Sequence, residues 1–505
     1  MTSGKQTVYL NADVTTLDAK TPRARGLVVE AGQISRLLDG RPSGLSKDVE
    51  VVDCNGAAIV PGFHDCHVHL TDTGLLAGDH DFTDCADIAA MLKRVASLHD
   101  DILFAGNYED QHIDEGRPPS MHELDAVAGD RPVLLTRIDG HSCVVNSAAF
   151  ALIDVEHLEG VERDDGGKLT GRLFGPANYA GQAAFLRSVP DEAKHRADER
   201  AAQMALAGGM TTVHHVIAWD PPLESLEAQY RADASLPLHV ISKACTTDVR
   251  KARRLGGRVF GGDIFVDGSI GSRTAAVDRD YCDGRSAGLL YLDRSQLTEV
   301  FDEAAESGLS VGVHAIGDRA IEETIAAWET VIAKRGPLRN VRPSIDHFEI
   351  ARGDQIARAA RCRMLLSMQP VFDLLWGGSD GMYAERLGEE RALDMNLFKT
   401  AKRAGCVICA GSDSPVTKFS ALLGIQALVD HHVPAERFTV EEALRAYCSD
   451  AAKLSFDEGR RGVLAPGMDA DFVLLERPLD SVPPKEIGKT KVVATVVAGE
   501  IRFRA

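Results

Sequence analysis

The sequence predicts an α/β fold: a (β/α)8 TIM-like barrel with a small β-sandwich domain formed by both termini. Three observations predict it. Eight apolar, β-like runs start near Ala58, Thr211, Leu238, Gly262, Ser310, Arg342, Met364 and Cys406. Helical patterns separate most of them, as in Ser295–Ser307 and Arg319–Lys334; alternation of this kind marks a β/α barrel. Both ends of the chain are instead short β-like runs joined by turns, which suggests one sheet domain built from two separated segments.

Taken in order, the first segment holds Val8-Tyr9-Leu10, Gly26–Glu30, Gln33–Leu37 and Val49–Val52. The last holds Asp471–Leu475, Val492–Val497 and Ile501-Arg502-Phe503. Residues 1–58 and 460–505 are therefore expected to form the composite sandwich, and residues 59–459 the barrel. Residues 71–205 exceed one β/α unit. They contain two further strand-like runs, Ile102–Ala105 and Pro132–Ile138, and several helices, so they read as a large insertion after the first strand. There is no internal repeat.

Composition narrows the function. A formal charge of −19 on 505 residues repels nucleic acid and anionic membranes, leaving a small molecule as the expected partner. Met1-Thr2-Ser3-Gly4-Lys5 is followed by Gln6 and not by an apolar leader core, and no apolar run approaches the length of a membrane span. Ten scattered cysteines suit a reducing cytoplasm better than a disulfide scaffold. Cys406 and Cys409 form a C-x-x-C pair. In a strand they point to opposite faces, so they read as two core thiols.

Residues 61–70 read P-G-F-H-D-C-H-V-H-L. His67 and His69 project from one face of a strand, whereas in a helix they would diverge by about 200°. H-x-H at a strand end can chelate one ion, though alone it equally describes a polar strand end. Other runs end alike: Ser310–His314, Ser344–His347 and Cys409–Asp413. In a barrel all strand C-termini converge on one mouth, so His67, His69, His314, His347 and Asp413 are expected to meet there as metal ligands. Nitrogen and carboxylate donors suit zinc, with iron and manganese as alternatives.

This pattern resembles the amidohydrolase superfamily. Further stretches are similar to its amidohydrolase-3 branch, the YtcJ-like and N-substituted formamide deformylase-like proteins: Asp139-Gly140-His141-Ser142, Asp267-Gly268-Ser269-Ile270-Gly271-Ser272-Arg273, His314-Ala315-Ile316-Gly317-Asp318 and Gly411-Ser412-Asp413-Ser414-Pro415. The resemblance runs nearly end to end and implies a metal-dependent barrel with a terminal β-sandwich, C–N bond hydrolysis and, by default, a homodimer. It also implies a lysine on the fourth strand that bridges two metals when carboxylated. Here Asp263 takes that place in Gly262-Asp263-Ile264-Phe265-Val266-Asp267-Gly268. A side chain so much shorter is expected not to bridge. One zinc is therefore favoured, held by His67, His69, His314 and Asp413, with His347 either a ligand or an acid/base group. Two ions follow if the Asp263 segment does supply a bridge.

The expected reaction is hydrolysis of an N-acyl or N-formyl amine or a cyclic amide by metal-activated water. Asp413 is the expected general base, and His347 is a candidate to stabilise the oxyanion. Two alternatives stand beside it: a mononuclear deaminase of an amino-heterocycle, which lacks its usual strand-five glutamate here, and a non-catalytic scaffold, which should have lost these ligands. Weaker candidates for substrate contact are Tyr108 in Gly106–Asp110, His141, Asp267, Arg273 and Gln369. For each, a packing or loop role explains the residue as well. Of His214 and His215 only one can face inward, and Cys66 reads as packing.

Overall fold

The computed structural model describes residues 6–40, 49–218 and 220–505; the opening Met1–Lys5, read above as lacking a leader, lies outside them. Eight parallel strands alternate with helices: β1 (Phe63–Val68), β2 (Met210–Ile217), β3 (His239–Ala244), β4 (Val259–Phe265), β5 (Ser310–Ala315), β6 (Ser344–His347), β7 (Leu365–Met368) and β8 (Val407–Ala410). They form two sheets, ordered β3-β2-β1 and β4-β5-β6-β7-β8. The sheets meet at both seams. Asp263 N–H donates to Cys245 Sγ at 3.3 Å between β4 and β3. Asp413 N–H donates to the His67 carbonyl at 2.8 Å just beyond β8 and β1.

The helices pack their apolar faces on these strands. Helix Asp318–Arg335 buries Ile321, Ile325, Trp328 and Val331, a 3–4 spacing that makes one stripe. Trp328 stacks on Phe301 of helix Arg294–Ser307 with ring centroids 4.3 Å apart. That helix starts at a capping box, Asp293 with Gln296.

Strands from both termini enter two further sheets. A four-stranded sheet orders Gln33–Leu38, Gly26–Glu30, Gln6–Leu10 and Glu50–Asp53. A six-stranded sheet orders Glu500–Arg504, Val492–Val497, Phe472–Leu475, Ala58–Pro61, Asp13–Thr15 and Arg23–Ala24. Tyr9 meets Phe472 edge to face at 4.9 Å in a core that also holds Leu27, Ile34, Ile59 and Val496.

One expectation changes. The run at Ala58 does not open the first parallel strand. Ala58–Pro61 pairs antiparallel with Phe472–Leu475 in the terminal sheet, and β1 begins at Phe63. Gly62 makes the break: a Cβ there would lie 2.2 Å from Thr211 Oγ1. The strand therefore changes sheets where only glycine fits.

The segment after β1 carries helix α1 (Leu70–Leu75) and a separate five-stranded sheet, Val161–Arg163, Leu169–Phe174, Ser142–Val145, Val133–Arg137 and Leu103–Tyr108. Helices α2 (Gly175–Ser188) and α3 (Asp191–Ala207) return the chain to β2, and α4 (Leu223–Asp233) follows it. Among the described residues no helix is long and apolar enough to cross a membrane. All ten cysteines are free, and Cys66 packs with Leu365, Cys409 and Leu454.

Candidate metal centre

The C-terminal ends of β1, β4, β5, β6 and β8 bring four imidazoles and two carboxylates together. Each imidazole has one nitrogen engaged behind it. Nδ1–H of His67 donates to Asp346 Oδ1 at 2.8 Å, and that of His69 to the Val216 carbonyl at 3.1 Å. Nε2–H of His314 donates to the Gly268 carbonyl at 3.1 Å. Nδ1–H of His347 donates to Gln369 Oε1 at 2.8 Å. This leaves one lone pair per ring aimed inward. Among buried polar atoms without a hydrogen bond are His67 Nε2, His314 Nδ1, His347 Nε2, Asp263 Oδ1 and Asp413 Oδ1. Five orphaned donor atoms facing one another fit a metal site, because each would otherwise be desolvated for nothing.

Asp263 sits at the middle. Its Oδ1 lies 3.3 Å from His67 Nε2, 3.6 Å from His314 Nδ1 and 3.8 Å from His347 Nε2, and its Oδ2 lies 3.1 Å from His69 Nε2. Asp413 Oδ1 is 3.3 Å from His69 Nε2 and 3.5 Å from His67 Nε2. The Asp263 carboxylate, expected from its length not to bridge two ions, thus comes near both histidine pairs. The reason is in the backbone. Gly261 and Gly262 have φ of 83° and 103°, and the β4–β5 register shifts between Gly261 and Phe265. This bulge carries the aspartate inward. A side chain at Gly261 would meet the Gly312 carbonyl at 2.2 Å.

The remaining backbone is equally specific. His347 and Asp413 have φ of 75° and 55°, a left-handed conformation costly for either residue and concentrated at functional sites. Asp65, of the D-x-H-x-H stretch, accepts the backbone N–H groups of His67 and Ser412 at 3.2 and 2.9 Å. It ties β1 to the loop carrying Asp413.

Charge in this cluster is finely opposed. Burial lowers the His67 pKa, but Asp263 and Asp413 outweigh it and push it up to about 10. His69 and His314 are also raised, against burial, by the nearby carboxylates. Burial pushes Asp263 up, yet His67, His314 and His347 hold it well below the usual carboxylate range. His347 is lowered by burial and by His314, and is therefore neutral. Protons thus occupy the metal-free site below the raised histidine pKa values, and a cation must displace them. Zinc binding at pH 7.5 is expected to release at least about one proton per chain and to weaken as pH falls. Calorimetry in buffers of different ionisation enthalpy measures the count; no net release would contradict this charge arrangement.

The weaker candidates separate. His141 lines the same cavity, with Nδ1 2.6 Å from the Tyr179 hydroxyl and its ring centroid 5.0 Å from that of His314. Gln369 is buried and orients His347. Asp267 is fully buried and accepts the backbone N–H groups of Ala276, Ile316 and Gly317, so it holds loops together. Arg273 turns away to pair with Asp283 at 2.7 Å. Tyr108 is buried among Phe82, Leu103 and Val133. A register shift beside it puts its neighbour Asn107 on the cavity wall instead. His215 turns to Asp233 on α4 at 3.0 Å, and both it and His214 are buried.

Four residues with no local signal complete the surroundings. Asp346 orients His67 and lies 3.7 Å from Lys243 Nζ, a buried cation. Arg137 lines the cavity, paired with Asp139 at 2.8 Å. Glu349 lines an adjoining recess with His314, His347 and Asp413, and accepts the Tyr383 hydroxyl at 2.6 Å.

Eight parallel strands, alternating helices and a polyhistidine–aspartate cluster at the strand ends define the class to which comparison then gives a name. The chain belongs to the amidohydrolase family, whose model matches residues 50–503, and is a metal-dependent hydrolase acting on carbon–nitrogen bonds other than peptide bonds. It is 29% identical to YtcJ of Bacillus subtilis (strain 168), over 95% of this chain and 94% of that one. It is 26% identical to the N-substituted formamide deformylase of Arthrobacter pascens, over 100% of this chain and 99% of that one. Among solved structures, an uncharacterized metal-dependent hydrolase from Pyrococcus furiosus matches with a TM-score of 0.74 at 25% identity, over 95% of this chain and 100% of that one.

Proposed function

We propose that the protein hydrolyses the C–N bond of an amide-type small molecule, an N-acyl or N-formyl amine or a cyclic amide, at a site for two divalent cations, zinc foremost. The observation that carries this reading is the place of the Asp263 carboxylate, within 3.1–3.8 Å of all four inward-facing imidazole nitrogens. It replaces the single ion expected from the sequence. His67, His69 and Asp413 would hold one cation, His314 and His347 the other, and Asp263 would serve both. The fold reading that accompanies it is a closed (β/α)8 barrel with a terminal β-sandwich; the hydrogen bonds at both seams of the parallel sheets support closure.

Cations held there would polarise a substrate carbonyl and lower the pKa of a water. The chain supplies the rest. Asp413 takes the proton of the attacking water and returns it to the leaving nitrogen, a transfer its position beside His67 and His69 allows. His347, with Nδ1–H committed to Gln369, has no hydrogen on Nε2 to offer an oxyanion, so it is read as a ligand. All ten free thiols support a reducing compartment.

Glu349 favours a second reading, deamination of an amino-heterocycle. Burial, against the Tyr383 hydrogen bond, raises its pKa to about 7, which suits a proton shuttle. The test is elemental analysis of protein purified without chelator, followed by turnover of N-acyl amines, cyclic amides and amino-heterocycles. About two zinc per chain with amide hydrolysis is the expected result. Ammonia release from the heterocycles alone selects deamination; no bound metal sinks both.

A further inference from the structure

A second group of ligand-type side chains lies at the other end of the barrel. His239 opens β3, and Asp469 and Asp471 stand just ahead of the terminal-sheet strand Phe472–Leu475. One donor atom from each falls within 4.8 Å of the other two. The three residues therefore meet where the N-terminal end of a barrel strand abuts the terminal sheet. None of them belongs to the site at the strand C-termini.

Their contacts are short but unaligned. His239 Nε2 lies 3.0 Å from Asp471 Oδ2, yet among the described residues neither buried atom has a hydrogen bond. The Asp471 side chain is 4% exposed, and only its other oxygen is engaged, by the Ala498 N–H at 2.7 Å. Arg461 Nε lies 3.3 Å from Asp469 Oδ2 and 3.4 Å from Asp471 Oδ2, and it too bonds neither. Two donors held about 2.1 Å from one zinc stand roughly 3.0–3.4 Å apart. The His239–Asp471 spacing suits two ligands of a common ion as well as it suits an ion pair, and the missing alignment favours the ion.

Charge permits a cation. Arg461 gives Nη1 to Asp457 at 3.0 Å, and Arg460 holds Asp469 at 3.0 Å. Asp457, Asp469 and Asp471 thus outnumber Arg460 and Arg461 by one negative charge. His64, near enough to feel Arg461, Asp471 and His239, is fully buried with no hydrogen bond on either nitrogen. Burial and Arg461 push its pKa down to about 3, so it adds no positive charge. An ion has a way in, because the His239 side chain is 23% exposed.

We propose that His239, Asp469 and Asp471 bind a further divalent cation, zinc foremost, which pins the terminal sheet to the base of the barrel. Nitrogen and carboxylate donors suit that ion. The Arg461 guanidinium opposes it, so the site is weaker than one without a neighbouring cation. The amide reading is not needed for it.

The test compares the full chain with His239→Ala, each equilibrated against buffered free zinc and analysed for zinc per chain. Wild type should hold about one ion more than the variant. The difference should persist in an Asp263→Ala background, because the two sites share no ligand. Zinc should also raise the melting temperature of wild type by about a few degrees more than that of His239→Ala, since the ion binds only the folded joint. If His239→Ala fails to fold by circular dichroism, Asp469→Asn carries the same comparison. Equal zinc in wild type and folded variant, in either background, overturns the proposal. So does a melting-temperature gap that zinc does not widen; the group is then an ion-pair joint that Arg461 completes alone.

Discussion

Asp263→Ala is expected to reduce bound zinc from about two per chain to one or none and to cut kcat/KM by more than about 10²-fold. An outer partner of a ligand is worth roughly 10–100-fold in metal affinity, and Asp263 stands inside that layer, with Oδ1 and Oδ2 turned to different histidines. Removing it also takes away the carboxylate that His67, His69 and His314 share, leaving less negative charge to oppose theirs. His67 and His69 should lose the attraction that raises them. The melting temperature of the metal-free variant then reports the charge balance, and elemental analysis reports the site. Two tightly held zinc ions in Asp263→Ala would show that the carboxylate bridges nothing, and would return the site to the ligand set expected from the sequence.

The sequence carries one part of this site plainly and another only faintly. His67, His69, His314, His347 and Asp413 were legible because each closes a β-like run, and strand periodicity fixes which side chains share a face. Asp263 was visible as a departure from a family pattern, but its reach was misjudged. The distance depends on positive φ at Gly261 and Gly262 and on a bulge against β5. The doubled glycine is the only local hint, and it says nothing of direction. Asp346 and Glu349 flank His347 in the chain, yet their roles come from contacts with His67 and Tyr383, which lie far off in sequence.

The terminal sheets were readable for the opposite reason. Their strands are short runs rich in β-branched residues and set between turns, as in Gly26–Glu30 and Val492–Val497. The boundary at Gly62 was not, since Ala57–Phe63 has no polar side chain and only the approach of Thr211 divides it. Tyr108 failed by a single residue. Alternation along Leu103–Tyr108 is broken at a register shift, and the shift, which exchanges Tyr108 for Asn107, depends on pairing with Val133–Arg137.

Asp413→Asn is expected to lower kcat by about 10³-fold while the fold survives. General acid–base groups contribute roughly 10²–10⁴-fold, and here the same carboxylate serves the attacking water and the leaving nitrogen. The substitution is nearly isosteric. Asparagine tolerates the left-handed backbone that Asp413 adopts, and the N–H bond to the His67 carbonyl is a main-chain contact that remains. The melting temperature should therefore shift by only a few degrees, on the order of 1 kcal/mol or less. What changes is charge and basicity: an amide oxygen takes no proton near neutral pH. Zinc content separates the two duties of this residue. Retained zinc with lost turnover assigns the loss to proton transfer; lost zinc assigns it to ligation; retained zinc with near-normal kcat would remove Asp413 from the chemistry and leave Glu349 as the buried acid lining that cavity with a pKa near neutrality.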